Sequence, residues 1–246
     1  MHQHSDITKE NFEEWNEKMV LQHGTLLEHR NSHAIVRLIE SLRVRAIVKL
    51  LDPKESDRIL EVGCGAGNIL ESIRKGQLAG LDLSETLLAI AQKRLGRRAR
   101  LVKGNAEDMV KLFPGEVFSK VFASEVLEHV LHPAVVVTQI RELMDSNGVF
   151  VVSIPNEKLI KFIKKVLIRI GLFRVFLPGK GVPRIEYEWH LHDFDLQLLR
   201  DVVKGLFDIT KVRRIPFGFL PLRYVVKMRP VSTENIRQGL FETNDK

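Results

Sequence analysis

Ile59-Leu-Glu-Val-Gly-Cys-Gly-Ala-Gly67 decides the reading of this chain. Its first half continues an apolar run from Arg58 to Val62, the length and character of a buried strand. Its second half places glycines at 63, 65 and 67, where the strand gives way to a helix expected to run to about Lys75. Glycine has no Cβ, so such a turn bends tightly and leaves its amide groups open to a bulky ligand. In open α/β sheets, ligands bind beyond the carboxyl ends of the strands, at turns of this kind. The register excludes a dinucleotide fingerprint: Gly-x-Gly-x-x-Gly starting at Gly63 requires glycine at 68, where Asn68 stands.

Strand-like and helix-like stretches alternate on both sides of this turn. Residues 34–51 space their apolar groups as a helix, which Pro53 limits. Downstream, strands are expected at Leu78–Leu83, Arg100–Lys103, Lys120–Ser124 and Gly148–Ile154. Between them fall a helix at Glu85–Leu95, with Ser84 as its cap, and one from Pro133 to near Met144. After residue 190 come a helix at Asp195–Leu206 and strands at Ile209–Ile215 and Arg223–Met228, joined by Pro216-Phe-Gly-Phe-Leu-Pro221. So short a connection pairs strands antiparallel. The expected fold is α/β: a Rossmann-like, seven-stranded, mostly parallel sheet whose last strand is antiparallel, with N-terminal helices and a helical insertion after the fifth strand. It reads as one domain over 1–246, divided into a helical cap (1–52), a core (53–156), a basic insertion (157–192) and a final helix with its strand pair (193–246).

Composition bounds the rest. At 246 residues, 44% hydrophobic and 28% charged, the chain suits a globular protein with one large core. One cysteine, Cys64, excludes an internal disulfide and a cysteine-based zinc site, and points to a reducing cytoplasm. The polar start, Met1 to Val20, leads us to expect no secretory leader. The net charge of +7 is local: Glu157 to Arg184 holds eight basic residues and one acid, and the remainder sums to zero.

The block at 59–67 resembles the first motif of class I S-adenosylmethionine-dependent methyltransferases. That resemblance covers residues 57–156 well, and it implies a set of contacts. Glu61 would help hold the amino group of the cofactor's methionine moiety, and Gly63, Cys64, Gly65 and Gly67 would form the floor. Asp82, in Gly80-Leu-Asp-Leu-Ser84, would take both ribose hydroxyls, with Leu83 beside it; a carboxylate accepts two hydrogen bonds from a cis-diol. Asn105 and Ala106, in Lys103-Gly-Asn-Ala-Glu-Asp108, would face the adenine. Many members carry aspartate where this chain has Asn105, whose carbonyl can still accept from the exocyclic amine. Val121-Phe-Ala-Ser-Glu-Val-Leu-Glu-His129 resembles the subgroup that methylates quinones and similar small molecules, with the backbone around Ser124 facing the cofactor.

Glu125, Glu128 and His129 lie close together, with His132 nearby and His190 and His192 further on. A Glu-x-x-Glu-His string with a later histidine holds a divalent ion in a small RNA-methylating subgroup, and such ligands suit magnesium, manganese or zinc. The same string occurs in resembling methyltransferases, and here we expect no metal. The alternative is that His129 or His190 acts as general base, since a neutral imidazole suits a phenol or activated hydroxyl. Purely structural histidines are the third reading.

Leu159, Phe162, Ile163, Val166, Leu167 and Ile170 form one apolar helical face, and Lys158, Lys161, Lys165 and Arg169 occupy the other side. A basic amphipathic helix with Phe and Leu suits a membrane interface over 157–177. A lid over the active site is compatible with that, and an RNA-binding patch over 158–184 is the rival. The expected activity is methyl transfer to a small or lipid-like acceptor, more at oxygen than elsewhere. An RNA methyltransferase and a non-catalytic cofactor-binding protein are the alternatives.

Overall fold

The computed structural model describes residues 7–27, 34–171 and 189–231. Its seven strands are β1 (Arg58–Val62), β2 (Gln77–Asp82), β3 (Ala99–Lys103), β4 (Phe118–Ser124), β5 (Met144–Pro155), β6 (Phe207–Phe217) and β7 (Leu220–Pro230). They form one sheet in the order β3-β2-β1-β4-β5-β7-β6. The first five run parallel, and β7 lies antiparallel between β5 and β6. This is the Rossmann-like sheet expected from the sequence, antiparallel strand included.

Parallel strands covered on both faces read as near-continuous apolar runs. The last eight residues of β5 are all buried, as are the last four of β1. The two-residue period divides each strand between the layers. Leu60 and Phe150 face a core shared with Val136 and Ile140 of α6 (Pro133–Glu142) and Leu199 of α8 (Leu196–Val203). Ile59 and Val151 face the other core. That one holds Ile47 and Leu51 of α2 (Ala34–Leu51), Leu70 of α3 (Asn68–Ser72) and Leu95 of α4 (Glu85–Leu95). Two more described helices are α1 (Phe12–Leu27), one of the expected N-terminal helices, and the short α5 (Met109–Leu112).

Because β1 lies between β2 and β4, the direction in which the sheet grows reverses there. Such a switch point opens a crevice outside the carboxyl ends of the strands.

Element boundaries differ from the expectation where local geometry overrides periodicity. The helix after Gly67 stops at Ser72 instead of about Lys75, because Ile73 turns extended and is fully buried. The next turn needs Gly76 at φ +88°. The strand expected from Gly148 begins at Met144, which pairs with Phe118 before the register shifts. Consequently α6 ends at Glu142. Ser84 caps α4 as expected, accepting from Leu87 N at 3.2 Å.

Candidate active site

The glycine turn after β1 forms the floor of the crevice. Gly65 has φ +49°, and a Cβ there would find only Leu87 Cδ1, at 3.9 Å, so its open side faces the cavity. Gly67 is different. Its φ is +75°, and a Cβ would lie 2.8 Å from Leu95 Cδ1 and 3.3 Å from Ala91, so its bareness lets α4 pack against the turn. Gly67 does not line the cavity, in contrast to the floor role the sequence suggested; Gly63, Cys64 and Gly65 do.

Asp82 sits at the end of β2 facing this turn. Its Oδ2 accepts from Gly65 N at 2.7 Å and its Oδ1 from Ser84 N at 2.9 Å. Burial raises its pKa against the lowering effect of these bonds. Glu61, one strand over, is 2% exposed and its Oε2 has no hydrogen-bond partner. Burial pushes its pKa well up, and nearby Asp82 adds to the rise. A buried acid with a half-buried one so close suits positive charge or hydroxyl donors from a ligand. Asn105 lines the same end, but its side-chain carbonyl already accepts from Glu107 N at 2.9 Å and caps the short 3-10 turn Ala106–Asp108.

A cavity of about 440 Å³ joins this end to the carboxyl ends of β4 and β5. Arg43 is the residue sequence reading missed. It reaches from α2 to the junction, donating through Nε to Glu40 at 3.0 Å, and through Nη1 to Ser124 Oγ and, at 3.3 Å, to Ser153 Oγ. Burial opposes its charge, but Glu40 and Glu125 outweigh burial and hold the guanidinium charged. The signal was its spacing: Arg43, Ile47 and Leu50 fall on one buried stripe of α2. The side chain of Ser124 is therefore tied to α2, and it also lies 3.0 Å from Ser153 Oγ.

At the far end the acid and histidine cluster resolves into separate parts. Glu125, at φ +55°, turns away to Arg223 Nε at 2.8 Å. Glu128 is fully buried, lines the cavity, and has no hydrogen-bond partner at either oxygen. Burial, then Glu125, holds its pKa well above the carboxylate range. Leu191 N (2.8 Å) and His192 N (3.2 Å) both donate to the Glu128 carbonyl, and this brings residues 189–192 beside β4. His129 and His190 thus meet edge to face, ring centroids 4.7 Å apart. His129 Nδ1 lies 3.1 Å from the Trp189 carbonyl, and burial, with His190 adding, drives its pKa down to about 3. His190 Nδ1 lies 2.7 Å from Glu157 Oε1, whose other oxygen is 3.0 Å from Lys161 Nζ. Glu128, His129 and His190 bring one donor atom each within 4.8 Å, a set able to hold a cation. It is the set the sequence offered, a Glu-x-x-Glu-His string with a later histidine, less Glu125, which pairs with Arg223. His132 and His192 are engaged elsewhere, with Glu107 and the Val130 carbonyl.

The helix α7 (Glu157–Arg169) leaves this end of the site. Lys158 and Lys161 turn toward Asp195 and Asp193, each at 2.5 Å. Of the expected apolar face, Leu159, Ile163 and Leu167 are half-buried, while Phe162, Val166 and Ile170 are exposed, Phe162 by 63%. The rest of the basic insertion, 172–188, lies outside the described residues. No described helix is long and apolar enough to cross a membrane.

Residues 60–152 match a family model described as a methyltransferase domain. The chain is similar to the ubiquinone biosynthesis O-methyltransferase of Dechloromonas aromatica, at 36% identity over 104 residues, 40% of this chain and 44% of that protein. It is also similar to the enzyme of the same name from Azorhizobium caulinodans, at 27% over 178 residues, 70% of this chain and 66% of that protein. The chain spans less than two thirds of either relative. Among solved structures, the N-methyltransferase NodS from Bradyrhizobium japonicum WM9 with S-adenosyl-L-homocysteine covers 90% of this chain and 99% of its own, with TM-score 0.61 and 12% identity. A Thermotoga maritima protein described as a SAM-dependent methyltransferase gives TM-score 0.58 at 15% identity, over 89% of this chain and 99% of its own. At such identities the likeness is one of fold.

Proposed function

We propose that this chain is a class I S-adenosylmethionine-dependent methyltransferase, a reading supported by the methyltransferase-domain match at residues 60–152, and that it methylates an oxygen of a small or lipid-like acceptor. The observation that carries the reading is one continuous cavity, with acids and a glycine turn at one end and His190 at the other. The cofactor fits the first end on the protein's own chemistry. The unpartnered Glu61 oxygen suits an ammonium group, Asp82 keeps lone pairs free for hydroxyls, and the bare side of Gly65 leaves room. Once bound, that cofactor supplies an electrophilic methyl group on a sulfonium, already a good leaving group.

What remains for the protein is to align the acceptor and take its proton. His190 suits this better than His129. Glu157 holds one of its ring nitrogens and would stabilise the imidazolium, whereas His129, with a pKa near 3, is too weak a base. Arg43 and Ser124 divide the two ends and are read as positioning groups. Incubation with labelled cofactor and extracted lipids should yield a product heavier by one methyl group; no transfer to any lipid or phenol sinks the proposal.

The Glu128–His129–His190 set supports a second reading, in which a divalent cation there polarises the acceptor oxygen. Exhaustive chelation separates the two. Unchanged transfer is expected if His190 acts alone as base, and loss rescued by added metal would establish the cation instead.

The acceptor is read as lipid-like because of how α7 sits. A lid would turn its apolar face over the cavity, yet Phe162, Val166 and Ile170 face outward while Lys158 and Lys161 anchor the helix to the body. That arrangement supports α7 lying on the cytoplasmic face of a membrane. RNA is the lesser partner.

A further inference from the structure

A second basic segment is hidden in the charge totals. From Ile209 to Val231 the chain carries six basic residues and no acidic one. This stretch is most of β6, its turn and β7. Pro155, the last residue of β5, pairs with Arg223, so Leu220 to Leu222 and the turn run past the carboxyl end of β5. That is the edge on which the cavity lies, and both Pro155 and Arg223 line it.

At the tip, Phe217 and Phe219 stack on one another, ring centroids 5.4 Å apart and 4° from parallel. They are 54% and 85% exposed. Behind them on β6 stand Arg213 and Arg214, both exposed. The tip is joined to α7 at its first turn. Asn156 donates its backbone N–H to the Leu222 carbonyl at 3.0 Å and its side-chain amide to the Pro221 carbonyl at 2.9 Å. The outward Phe162 and the stacked pair therefore belong to two elements hung from one joint.

We propose that the β6–β7 tip is a second membrane-contacting element. Phe217 and Phe219 enter an anionic bilayer surface, so that the tip and α7 bracket the acceptor end of the cavity. Phenylalanine rings bury into the boundary between headgroups and acyl chains, and the arginines behind them are drawn to anionic headgroups. A second copy of the chain is the poorer occupant, since it would set another exposed Arg213 and Arg214 against this pair. The inference extends the lipid-acceptor reading and rests on it for its purpose, but its test needs no turnover.

Cys64 is buried, so Phe219→Cys and Phe162→Cys variants each accept a polarity-sensitive fluorophore at one position. Vesicles containing phosphatidylglycerol should shift the emission at 219 to the blue, and phosphatidylcholine vesicles much less. Changing both Phe217 and Phe219 to Ser should weaken partitioning to the anionic vesicles by at least about tenfold. Cofactor affinity by calorimetry should stay unchanged, as it must if the fold is intact. A response at 162 with none at 219 overturns the inference and leaves α7 standing. A blue shift at 219 that grows with protein concentration alone means a second copy, and overturns it too. Insertion at 219 in a chain that methylates nothing would sink the transfer reading and leave this one.

Discussion

His190 Nδ1 lies 2.7 Å from Glu157 Oε1, a contact between residues 33 apart in sequence. The carboxylate fixes which ring nitrogen carries the proton and leaves Nε2 as the basic one. Glu157 is itself held by Lys161 and is 5% exposed, so the pair is set in a fixed geometry.

Removing the imidazole should therefore cost rate and spare cofactor binding. His190→Ala is expected to lower kcat by roughly 10²–10⁴, the usual worth of a positioned base. Glu157→Gln keeps the hydrogen bond but not the charge, and should lose less. Stopped-time assays with cofactor titrations on both variants decide it. An unchanged kcat in His190→Ala removes the base assignment.

Asp82 touches both the glycine turn and the space beside it. Asp82→Ala should weaken S-adenosylmethionine binding by on the order of 2–3 kcal/mol, the worth of charge-assisted hydrogen bonds. Part of that loss passes through Gly65, whose N–H Asp82 accepts at 2.7 Å. Gly65→Val should bind as poorly, because its side chain would fill the one open side of the turn. Calorimetry showing wild-type affinity in folded Asp82→Ala would refute the diol contact.

His129 gives the protein an acid-sensitive element. Its folded pKa of about 3 lies below its ordinary 6.5, so the unfolded chain takes a proton that the folded chain refuses. Stability from this residue is full above 6.5 and drains as pH falls toward 3, by about 2 kcal/mol near pH 5. His129→Gln should flatten that part of the curve of Tm against pH. Parallel curves for parent and variant would show that His129 titrates normally.

The sheet was legible because its signals are local. Apolar five-residue strands, Ser84 before α4 and the glycines at 63, 65 and 67 each act through neighbouring backbone. Glu61, Asp82 and Cys64 could be placed because strand ends in a parallel sheet meet at the switch point. Arg43 could not, since its role comes from α2 crossing to Ser124, 81 residues away. Nor could the pairing of Glu125 with Arg223, which takes Glu125 out of the set and leaves Glu128 and His129 with the later histidine, His190. The approach of His190 itself follows from backbone bonds between Glu128 and residues 191–192. Gly67 misled for a related reason: a motif glycine can serve the packing of a helix as well as the approach of a ligand.

The outward face of α7 yields the last prediction. If it lies on a membrane, the protein should float with anionic liposomes and much less with neutral ones. Raising salt from 0.1 M to 1 M shortens the Debye length from about 10 Å to about 3 Å and should release part of the protein. Some should remain, because screening does not touch the burial of Phe162 and Val166. Replacing both with Ser should lower flotation strongly and leave cofactor affinity intact, as neither lines the cavity. A lid predicts no flotation in the parent and a raised KM in the variant. RNA binding predicts retention lost with Lys164 and Lys165 and indifferent to Phe162. Failure of the parent to float on anionic vesicles at low salt ends the membrane reading.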